Sequence, residues 1–374
     1  MKHNPLKKLE TLGQSIWLDY IRRDLIESGE LKRLIDEDGL RGMTSNPAIF
    51  EKAIAESDIY DKDIFEMAIK SKDVKTIYET LSQGDVQNAA DEFRIVYENT
   101  AHKDGYVSLE VNPHLAHDTK GTIEEARRLW AALDRPNVFI KVPATSEGLP
   151  AIEQLISEGI NVNVTLLFGL PRYRQVVEAY LAGLEARVAQ GKSVENIASV
   201  ASFFLSRIDT LADPLVKIFL EPEGRNREIA RKVHGQVAIS SAKTAYQIYK
   251  DIFTGNRFKI LADKGASVQR LLWASTSTKN PDFSDIKYME EVIGPDTVNT
   301  SPLDTINAYR DHGDPQLRLE QDIPGASLIM EGLSDLGINI DYLTQQLEDE
   351  GVKKFNEPFD SLMDSIRKKS AKDF

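Results

Sequence analysis

The sequence NVFIKVPATSEGLPAIEQLISEGINVNVTLLF (137–168) decides the fold. Both ends of this stretch are almost continuously apolar, which is typical of strands that are buried on both faces. Between them, Ile152, Leu155 and Ile156 share one face of a predicted helix, and Gly159 suits its end. A strand, a helix and a strand within about 30 residues predict a parallel crossover unit.

Similar short apolar segments recur along the chain, separated by longer amphipathic ones. Together they give eight predicted strands: IWLDY (16–20), GMTSN (42–46), YVSLEV (106–111), NVFIKVPA (137–144), INVNVTLLF (160–168), ASVASFFLS (198–206), RLLWAST (270–276) and DTVNTS (296–301). Eight strands that alternate with helices favour an α/β fold of the closed (β/α)8 TIM-barrel type. An open doubly wound sheet would tend to carry a G-x-G-x-x-G turn, which this sequence lacks.

The chain exceeds the roughly 250 residues of a plain barrel, and we expect the excess to be helical. Helical insertions are predicted at about 48–103, with two or three helices, and at about 211–267, followed by a C-terminal extension at about 325–374. An apolar stripe in that extension predicts a helix docked on the core, or alternatively one that binds a partner: Val352, Phe355, Phe359, Leu362 and Ile366. No linker is evident, so residues 1–374 are expected to form one elaborated barrel domain.

Composition and charge exclude several classes of protein. Of the 374 residues, 41% are apolar, too many for a disordered chain, and 59 acidic against 46 basic residues argue against nucleic acid as a partner. The absence of cysteine excludes disulfides, a thiolate zinc site and a cysteine nucleophile, and six histidines leave little material for a metal centre. Without a secretory signal or a membrane span, we expect a cytoplasmic protein with no membrane contact, metal or cofactor.

Side chains alternate between inward and outward along a barrel strand, and barrel enzymes carry their chemistry at the C-terminal mouth. The predicted inward sets each contain a polar residue near the end of the strand: Trp17 and Asp19; Thr44 and Asn46; Ser108 and Glu110; Lys141; Asn161, Asn163 and Thr165; Ser202 and Phe204; Trp273 and Ser275; Asn299 and Ser301. Some members, such as Ser108, Asn161 and Asn299, suit hydrogen-bonded core groups or rim caps equally well. The charged members, Asp19, Glu110 and Lys141, suit these structural roles poorly, because buried charges need partners.

Lys141 lies inside the apolar run VFIKVP, where a solvated lysine is not expected. One interpretation is a buried structural ion pair. The other is an amine whose pKa is lowered by desolvation, so that it attacks a carbonyl and forms a Schiff base. The pattern favours the nucleophile over the ion pair.

Several segments together resemble the transaldolase family. GMTSNPAIF is similar to its T-[ST]-N-P signature, and NVFIKVPAT is similar to the segment of its Schiff-base lysine. The resemblance extends over essentially all eight strands through GMTSNPAIF (42–50), YVSLEVNP (106–113), NVFIKVPAT (137–145), EGINVNVTLLF (158–168), VASFFLSRIDTLAD (200–213) and WASTSTKNP (273–281). The long insertions and the last segment resemble the longer bacterial type.

The resemblance implies a metal-free class I enzyme of the pentose phosphate pathway with sugar phosphates as substrates. Transaldolases move a dihydroxyacetone unit from sedoheptulose 7-phosphate or fructose 6-phosphate to glyceraldehyde 3-phosphate or erythrose 4-phosphate. Lys141 matches the Schiff-base lysine, and Asp19 matches the acid/base that acts on the C-4 hydroxyl. Glu110 matches the carboxylate that shuttles protons through a water held with Thr165.

Further matches concern the substrate pocket. Asn46 and Asn163 match residues that hold the dihydroxyacetone hydroxyls, Thr44 and Ser202 match residues beside them, and Phe204 matches an aromatic on the acceptor side.

The phosphate site departs from that of the shorter transaldolases. Arg207 matches a phosphate-binding arginine and Ser275 a phosphate-contacting serine, but Ser277 stands where the shorter enzymes have a second arginine. Lys279 is the nearest cation and is either its replacement or a solvated loop charge. A lysine lacks the bidentate fork of arginine.

Three alternatives stay open. An aldolase on the same scaffold would release free dihydroxyacetone, but its small relatives usually carry Gln at the Glu110 position and Tyr at the Phe204 position, so this chain favours transfer. A metal-dependent lyase would need convergent carboxylates or histidines. An inactive scaffold protein would have no reason to keep all three catalytic candidates. The oligomeric state stays open between a homodimer and a monomer.

Overall fold

The computed structural model describes residues 4–221 and 224–371. Its eight strands form a closed barrel in chain order, and all neighbouring strands are parallel, including β8 and β1. The strands are β1 (Gln14–Asp19), β2 (Gly42–Thr44), β3 (Tyr106–Glu110), β4 (Val138–Pro143), β5 (Val162–Leu167), β6 (Ser199–Phe204), β7 (Gln269–Ala274) and β8 (Thr297–Ser301). The predicted (β/α)8 barrel is therefore confirmed.

Helices precede, connect and follow these strands throughout the described residues. They are α1 (Pro5–Thr11), α2 (Arg23–Glu27), α3 (Glu30–Asp38), α4 (Pro47–Ala55), α5 (Asp61–Ile69), α6 (Val74–Glu92), α7 (Arg94–Asn99), α8 (Thr119–Leu133), α9 (Gly148–Glu158), α10 (Leu170–Ala189), α11 (Ser206–Lys217), α12 (Arg225–Val233), α13 (Val237–Phe253), α14 (Asn256–Ala262), α15 (Lys287–Glu290), α16 (Leu303–His312), α17 (Ile323–Asp335) and α18 (Ile340–Ser370), with a 3-10 turn at Pro113–Leu115. Each of these helices is too short or too polar to span a bilayer.

The helical segments differ in detail from the prediction. The range 48–103 holds four helices, α4 to α7, rather than two or three. The segment DVQNAADEFRIVYENT is divided between α6 and α7 at Phe93. The start of α6 is set by Asp73, whose carboxylate accepts a hydrogen bond from the backbone N–H of Thr76 and so caps the helix. Residues 1–3, 222–223 and 372–374, which fall in the predicted domain, the second insertion and the C-terminal extension, lie outside the described residues. That the whole chain is one domain with two insertions stays a prediction.

The stretch that decided the fold forms β4, α9 and β5 as expected. The helix starts at Gly148, whose backbone N–H donates to Thr145 Oγ1 at 3.0 Å. The chain turns so tightly here that a Cβ on Gly148 would lie 2.0 Å from the carbonyl oxygen of Pro143. Only glycine therefore fits at this turn, which fixes where α9 leaves the strand that carries Lys141.

The inward sets predicted for two strands were wrong. Thr300, not Asn299 or Ser301, pairs with inward-facing Trp17. The outward hydroxyl of Ser301 donates instead to Asn299 Oδ1 at 2.9 Å, so both polar groups are satisfied beneath the helices. A polar residue can face outward when such a partner is present, and alternation of polarity then gives the wrong face.

In β7 the misplaced residue is Trp273. Ala274, its successor, pairs with inward-facing Phe204, while Trp273 pairs with Phe203 and packs edge-on against it at 6.2 Å between ring centres. Ser275 still reaches the barrel mouth because it lies beyond the strand with φ at 53°. This left-handed residue breaks the alternation on which the prediction depended.

The C-terminal helix α18 packs against α4, α5, α6 and α11 and also touches β5. All five residues of its apolar stripe are buried: Val352, Phe355, Phe359, Leu362 and Ile366. The helix is therefore docked on its own core, as one of the two interpretations of the stripe predicted. It lies on the mouth side of the barrel, beside the cavity described next.

Candidate active site

A cavity of about 180 Å³ lies at the C-terminal ends of the strands. Most of the residues chosen from the sequence line it: Asp19, Thr44, Asn46, Lys141, Thr165, Ser202, Phe204, Arg207, Ser275 and Lys279. Two others, Glu110 and Asn163, are outside this lining. A larger cavity of about 450 Å³ opens at the N-terminal end of the barrel, around Trp17 and Arg270. In barrel enzymes the C-terminal end carries the chemistry, so the smaller cavity is the candidate active site.

Lys141 stands at the centre of this site. Its backbone pairs with Glu110 on one side and Asn163 on the other, which places the three side chains in one layer of the barrel. The ammonium nitrogen donates to the carbonyl oxygen of Ser45 at 2.8 Å and lies 3.2 Å from a carboxylate oxygen of Glu110. Lys141 therefore has a buried ion-pair partner and also reaches the cavity, so the two interpretations of this residue are compatible.

Glu110 is 7% exposed and lies beside Lys141. Burial raises the pKa of Glu110 to about 7, although the ammonium of Lys141 opposes the shift. Neither carboxylate oxygen has a well-directed hydrogen-bond donor among the described residues, and the same holds for the buried hydroxyl of Thr165. Such a carboxyl can exchange a proton near neutral pH and has free acceptor capacity for a further partner.

Asp19 ends β1 at the cavity wall. Burial raises its pKa, whereas the charge of Lys141 and a hydrogen bond from Thr44 lower it. Thr44 Oγ1 donates to the Asp19 carboxylate at 2.7 Å and shares a second hydrogen bond of 2.7 Å with Thr300. Thr300 thus helps to hold the Asp19 carboxylate at the barrel mouth. The sequence did not indicate Thr300 as a site residue, because the inward face of β8 was predicted wrongly.

The two asparagines occupy different layers. Asn46 lines the cavity and also caps α4, because its side-chain oxygen accepts from the backbone N–H of Ile49 at 3.0 Å. Asn163 is fully buried: its amide donates to Ser108 at 3.1 Å, and its oxygen accepts from Ser202 at 2.6 Å. Asn163 therefore does not line the cavity itself but holds Ser202, which does.

Two cations face the outer part of the cavity. Burial lowers the pKa of Arg207, and burial together with the charge of Arg207 lowers the pKa of Lys279. Neither side chain forms an ion pair with a carboxylate within the described residues. Lys279 donates to Ser277 at 2.5 Å, and Ser275 shares a hydrogen bond with Ser206. Two unpaired cations beside serine hydroxyls are suited to an anion such as a phosphate.

The most consequential residue that the site prediction missed is Phe355. It extends from α18, lines the cavity, and places its ring centre 5.9 Å from the ammonium of Lys141. The sequence indicated only that Phe355 is buried, because strand alternation carries no information about a helix so far away in the chain.

Comparison with known proteins gives consistent matches along the chain. The family model described as "Transaldolase/Fructose-6-phosphate aldolase" matches residues 16–366. A protein of Trichodesmium erythraeum named "Transaldolase" is 52% identical over 100% of this chain and 99% of its own length. "Transaldolase 2" of Nostoc punctiforme is 50% identical over 99% and 98%, and a "Transaldolase" of Thiobacillus denitrificans is 45% identical over 97% and 99%.

Proposed function

The chain belongs to the transaldolase/fructose-6-phosphate aldolase family, and on that premise we propose how its residues carry out the reaction. Its activity is that of a transaldolase: a dihydroxyacetone unit moves from a ketose phosphate to an aldose phosphate through a lysine Schiff base. One observation carries the assignment of residues, namely that Lys141 reaches the mouth cavity while lying 3.2 Å from Glu110 and among hydroxyl groups.

Lys141 is the nucleophile. Its free amine adds to the C-2 carbonyl of the ketose, and loss of water from the resulting carbinolamine gives a protonated imine. The imine accepts the electron pair of the breaking C3–C4 bond, so C-3 does not have to carry the charge of a free carbanion, and C-4 leaves as the aldehyde carbon of the released aldose. The dihydroxyacetone unit stays on Lys141 as an enamine until an aldehyde accepts it.

Glu110 acts in the first half of the reaction, up to the formation of the imine. Its carboxylate is close enough to take the proton that Lys141 must lose before attack, and it returns a proton to the leaving hydroxyl. The unpaired hydroxyl of Thr165 supports the proposal that a water between the two groups relays these protons.

Asp19 acts on carbon–carbon bond cleavage. It takes the proton of the C-4 hydroxyl as the aldose leaves, and returns a proton to the new C-4 oxygen when the acceptor adds. The hydrogen bond from Thr44 supports this role because it fixes the carboxylate at the strand end. The raised pKa of Asp19 makes it a better base than an exposed aspartate.

The remaining residues bind substrate. Asn46 and Thr44 contact the dihydroxyacetone hydroxyls directly, whereas Asn163 orients Ser202 for the same purpose. Phe204 lines the acceptor side. The phosphate is bound by Arg207 and Ser275, with Lys279 in place of a second arginine.

The proposed nucleophile is tested by replacing Lys141 with Ala and, separately, with Arg. We expect both variants to lose transfer from fructose 6-phosphate to erythrose 4-phosphate while keeping the wild-type circular dichroism spectrum. Arg keeps a cation beside Glu110 but forms no imine, so it separates charge from nucleophilicity. Transfer at the wild-type rate in either variant contradicts the assignment.

Free dihydroxyacetone release is the second candidate activity, because the matched family includes fructose-6-phosphate aldolases. Glu110 and Phe204 favour transfer over release. Incubation with fructose 6-phosphate alone is expected to free little dihydroxyacetone, and addition of an acceptor aldose is expected to give a new ketose. Abundant release without acceptor would support the aldolase instead, and loss of activity in a chelator would support a metal-dependent enzyme.

We also infer a cytoplasmic location, which the cysteine-free composition supports.

A further inference from the structure

Phe355 is the apolar side of an otherwise largely polar site. The lining next to Lys141 consists mainly of hydroxyl, amide and charged groups, whereas Phe355 presents an aromatic ring with its centre 5.9 Å from the amine. Phe355 is 6% exposed, so most of its ring is buried against the protein. It comes from α18, which is not part of the barrel wall.

Contacts on both sides hold this part of α18 in place. One turn before Phe355, Gly351 lies so close to the barrel that a Cβ there would be 3.0 Å from Leu166. One turn after it, Phe359 packs edge-on against Tyr78 with 5.6 Å between ring centres. Near the start of the helix, Glu348 forms a largely buried ion pair with Arg172 at 3.0 Å. The ring is therefore fixed over the amine and does not hang from a loose terminus.

Transfer requires the bound dihydroxyacetone unit to outlast the interval between the two aldoses. Release competes with transfer in three steps: a proton adds to the enamine carbon, water adds to the imine carbon, and the C–N bond breaks. The nitrogen stays on Lys141 as the free amine and takes up the proton that the carbinolamine hydroxyl loses, and the oxygen of the water becomes the carbonyl oxygen of free dihydroxyacetone. The competition is decided by how easily water and protons reach the intermediate.

We propose that Phe355 shields the Lys141-bound intermediate from bulk water and so sets the ratio of transfer to release. The inference rests on the proposed role of Lys141. The water needed in each productive cycle is handled by Glu110 and Thr165, whereas Phe355 covers the amine from α18. A ring offers water no strong hydrogen-bond partner, and a water needs two or more such partners to be held. Phe355 is thus a positioning residue that controls the fate of the intermediate.

The test measures two products of fructose 6-phosphate with limiting erythrose 4-phosphate: free dihydroxyacetone and sedoheptulose 7-phosphate. Phe355→Ala is expected to raise the ratio of release to transfer by roughly tenfold, since it opens a path for water. Phe355→Leu is expected to stay near the wild-type ratio, because it keeps an apolar cover. Both products are made by the folded enzyme molecules alone, so their ratio does not change if part of a variant preparation is unfolded.

Phe359→Ala is the matched control, since it removes the same ring one turn along α18 but outside the cavity. The ratio is expected to stay well below that of Phe355→Ala, because loss of Phe359 weakens the anchoring of α18 but keeps the Phe355 ring itself. If Phe359→Ala raises the ratio as much as Phe355→Ala, loosening of α18 is the cause and the specific role of Phe355 is wrong. An unchanged ratio in Phe355→Ala also overturns it, provided that borohydride still traps Lys141. Failure to trap Lys141 in the wild-type protein would instead overturn the proposed function.

Discussion

At the scale of single residues, the pairing of β3 with β4 places Glu110 beside Lys141. Burial then determines the pKa of the Glu110 carboxyl. The pKa of Glu110 is raised to about 7, so it is mostly protonated below that pH and mostly ionised above it. Only the ionised form can accept the proton that Lys141 loses before attack. The rate of transfer is therefore linked to a titration near neutrality.

This link predicts the pH dependence of the enzyme. Transfer by the wild-type protein should rise as the pH increases through about 7. Glu110→Gln should lose this rising limb and slow turnover by roughly 10²- to 10⁴-fold, the range typical for removal of a proton-transfer group. Initial rates of both proteins between pH 5 and 9 provide the measurement. A limb near pH 7 that persists in Glu110→Gln would assign the titration to another group.

The proposed role of Lys279 in phosphate binding predicts a selective effect. Lys279→Ala should raise KM for fructose 6-phosphate by roughly tenfold, as expected for loss of one charge-assisted hydrogen bond, and should change kcat less. Cleavage of unphosphorylated fructose should be unaffected. Lys264→Ala removes an exposed lysine that precedes β7 at the opposite end of the barrel and is the control. An unchanged KM for fructose 6-phosphate would make Lys279 a solvated loop charge, and an equal loss with both substrates would mean that the substitution disturbs the site as a whole.

At the scale of elements, the sequence predicted strands well and strand faces less well. The predicted segments overlap all eight strands. Most of them are nearly continuous apolar runs, which is the pattern of strands that are buried on both faces. Faces were wrong in β7 and β8, where Trp273 lies outside and Thr300 inside. The information that decides these faces is the pairing register and a left-handed residue at Ser275, neither of which alternation reveals.

The turn between β4 and α9 provides an element-scale prediction. Gly148→Ala would bring a Cβ to within 2.0 Å of a backbone carbonyl oxygen, so the turn after the Lys141 strand must move. We expect the free energy of unfolding to fall by more than about 2 kcal/mol, measured by urea denaturation. Gly84→Ala, in the interior of α6 where an added Cβ meets nothing within 4 Å, should be neutral or stabilising. Equal effects would mean that the turn has room to adjust.

At the scale of the whole molecule, the two ends of the barrel differ in chemistry. The C-terminal end gathers the reactive groups, while the N-terminal end holds a network in which Arg270 contacts Asp104 at 3.0 Å and Ser15 at 2.6 Å. Both charged side chains are at least nine-tenths buried. This end is therefore expected to affect stability and not catalysis.

Asp104→Ala tests this division. Loss of the carboxylate leaves the charge of Arg270 buried without its partner, which should lower the free energy of unfolding by about 3 kcal/mol or more. KM for fructose 6-phosphate should stay at its wild-type value. Lys103→Ala breaks a neighbouring but exposed pair with Asp296 and should cost less than about 1 kcal/mol. A large change in KM for Asp104→Ala would show that the two ends are coupled.

The whole molecule also explains what the sequence could not provide. Residues on strand ends, such as Asp19 and Lys141, were found because each strand delivers its end to the same mouth. Phe355 was not found as a site residue, since its position depends on how α18 crosses the finished barrel. A contact between elements more than two hundred residues apart is a property of packing and leaves no local pattern.

The most direct test of the central claim is to trap the intermediate. The protein is incubated with fructose 6-phosphate, reduced with borohydride, digested, and its peptides are mapped by mass spectrometry. We predict that the mass of a reduced dihydroxyacetone adduct appears on the peptide that contains Lys141, and that Lys141→Arg gives no adduct. An adduct on a different lysine, or undiminished transfer with no adduct at all, would contradict the account.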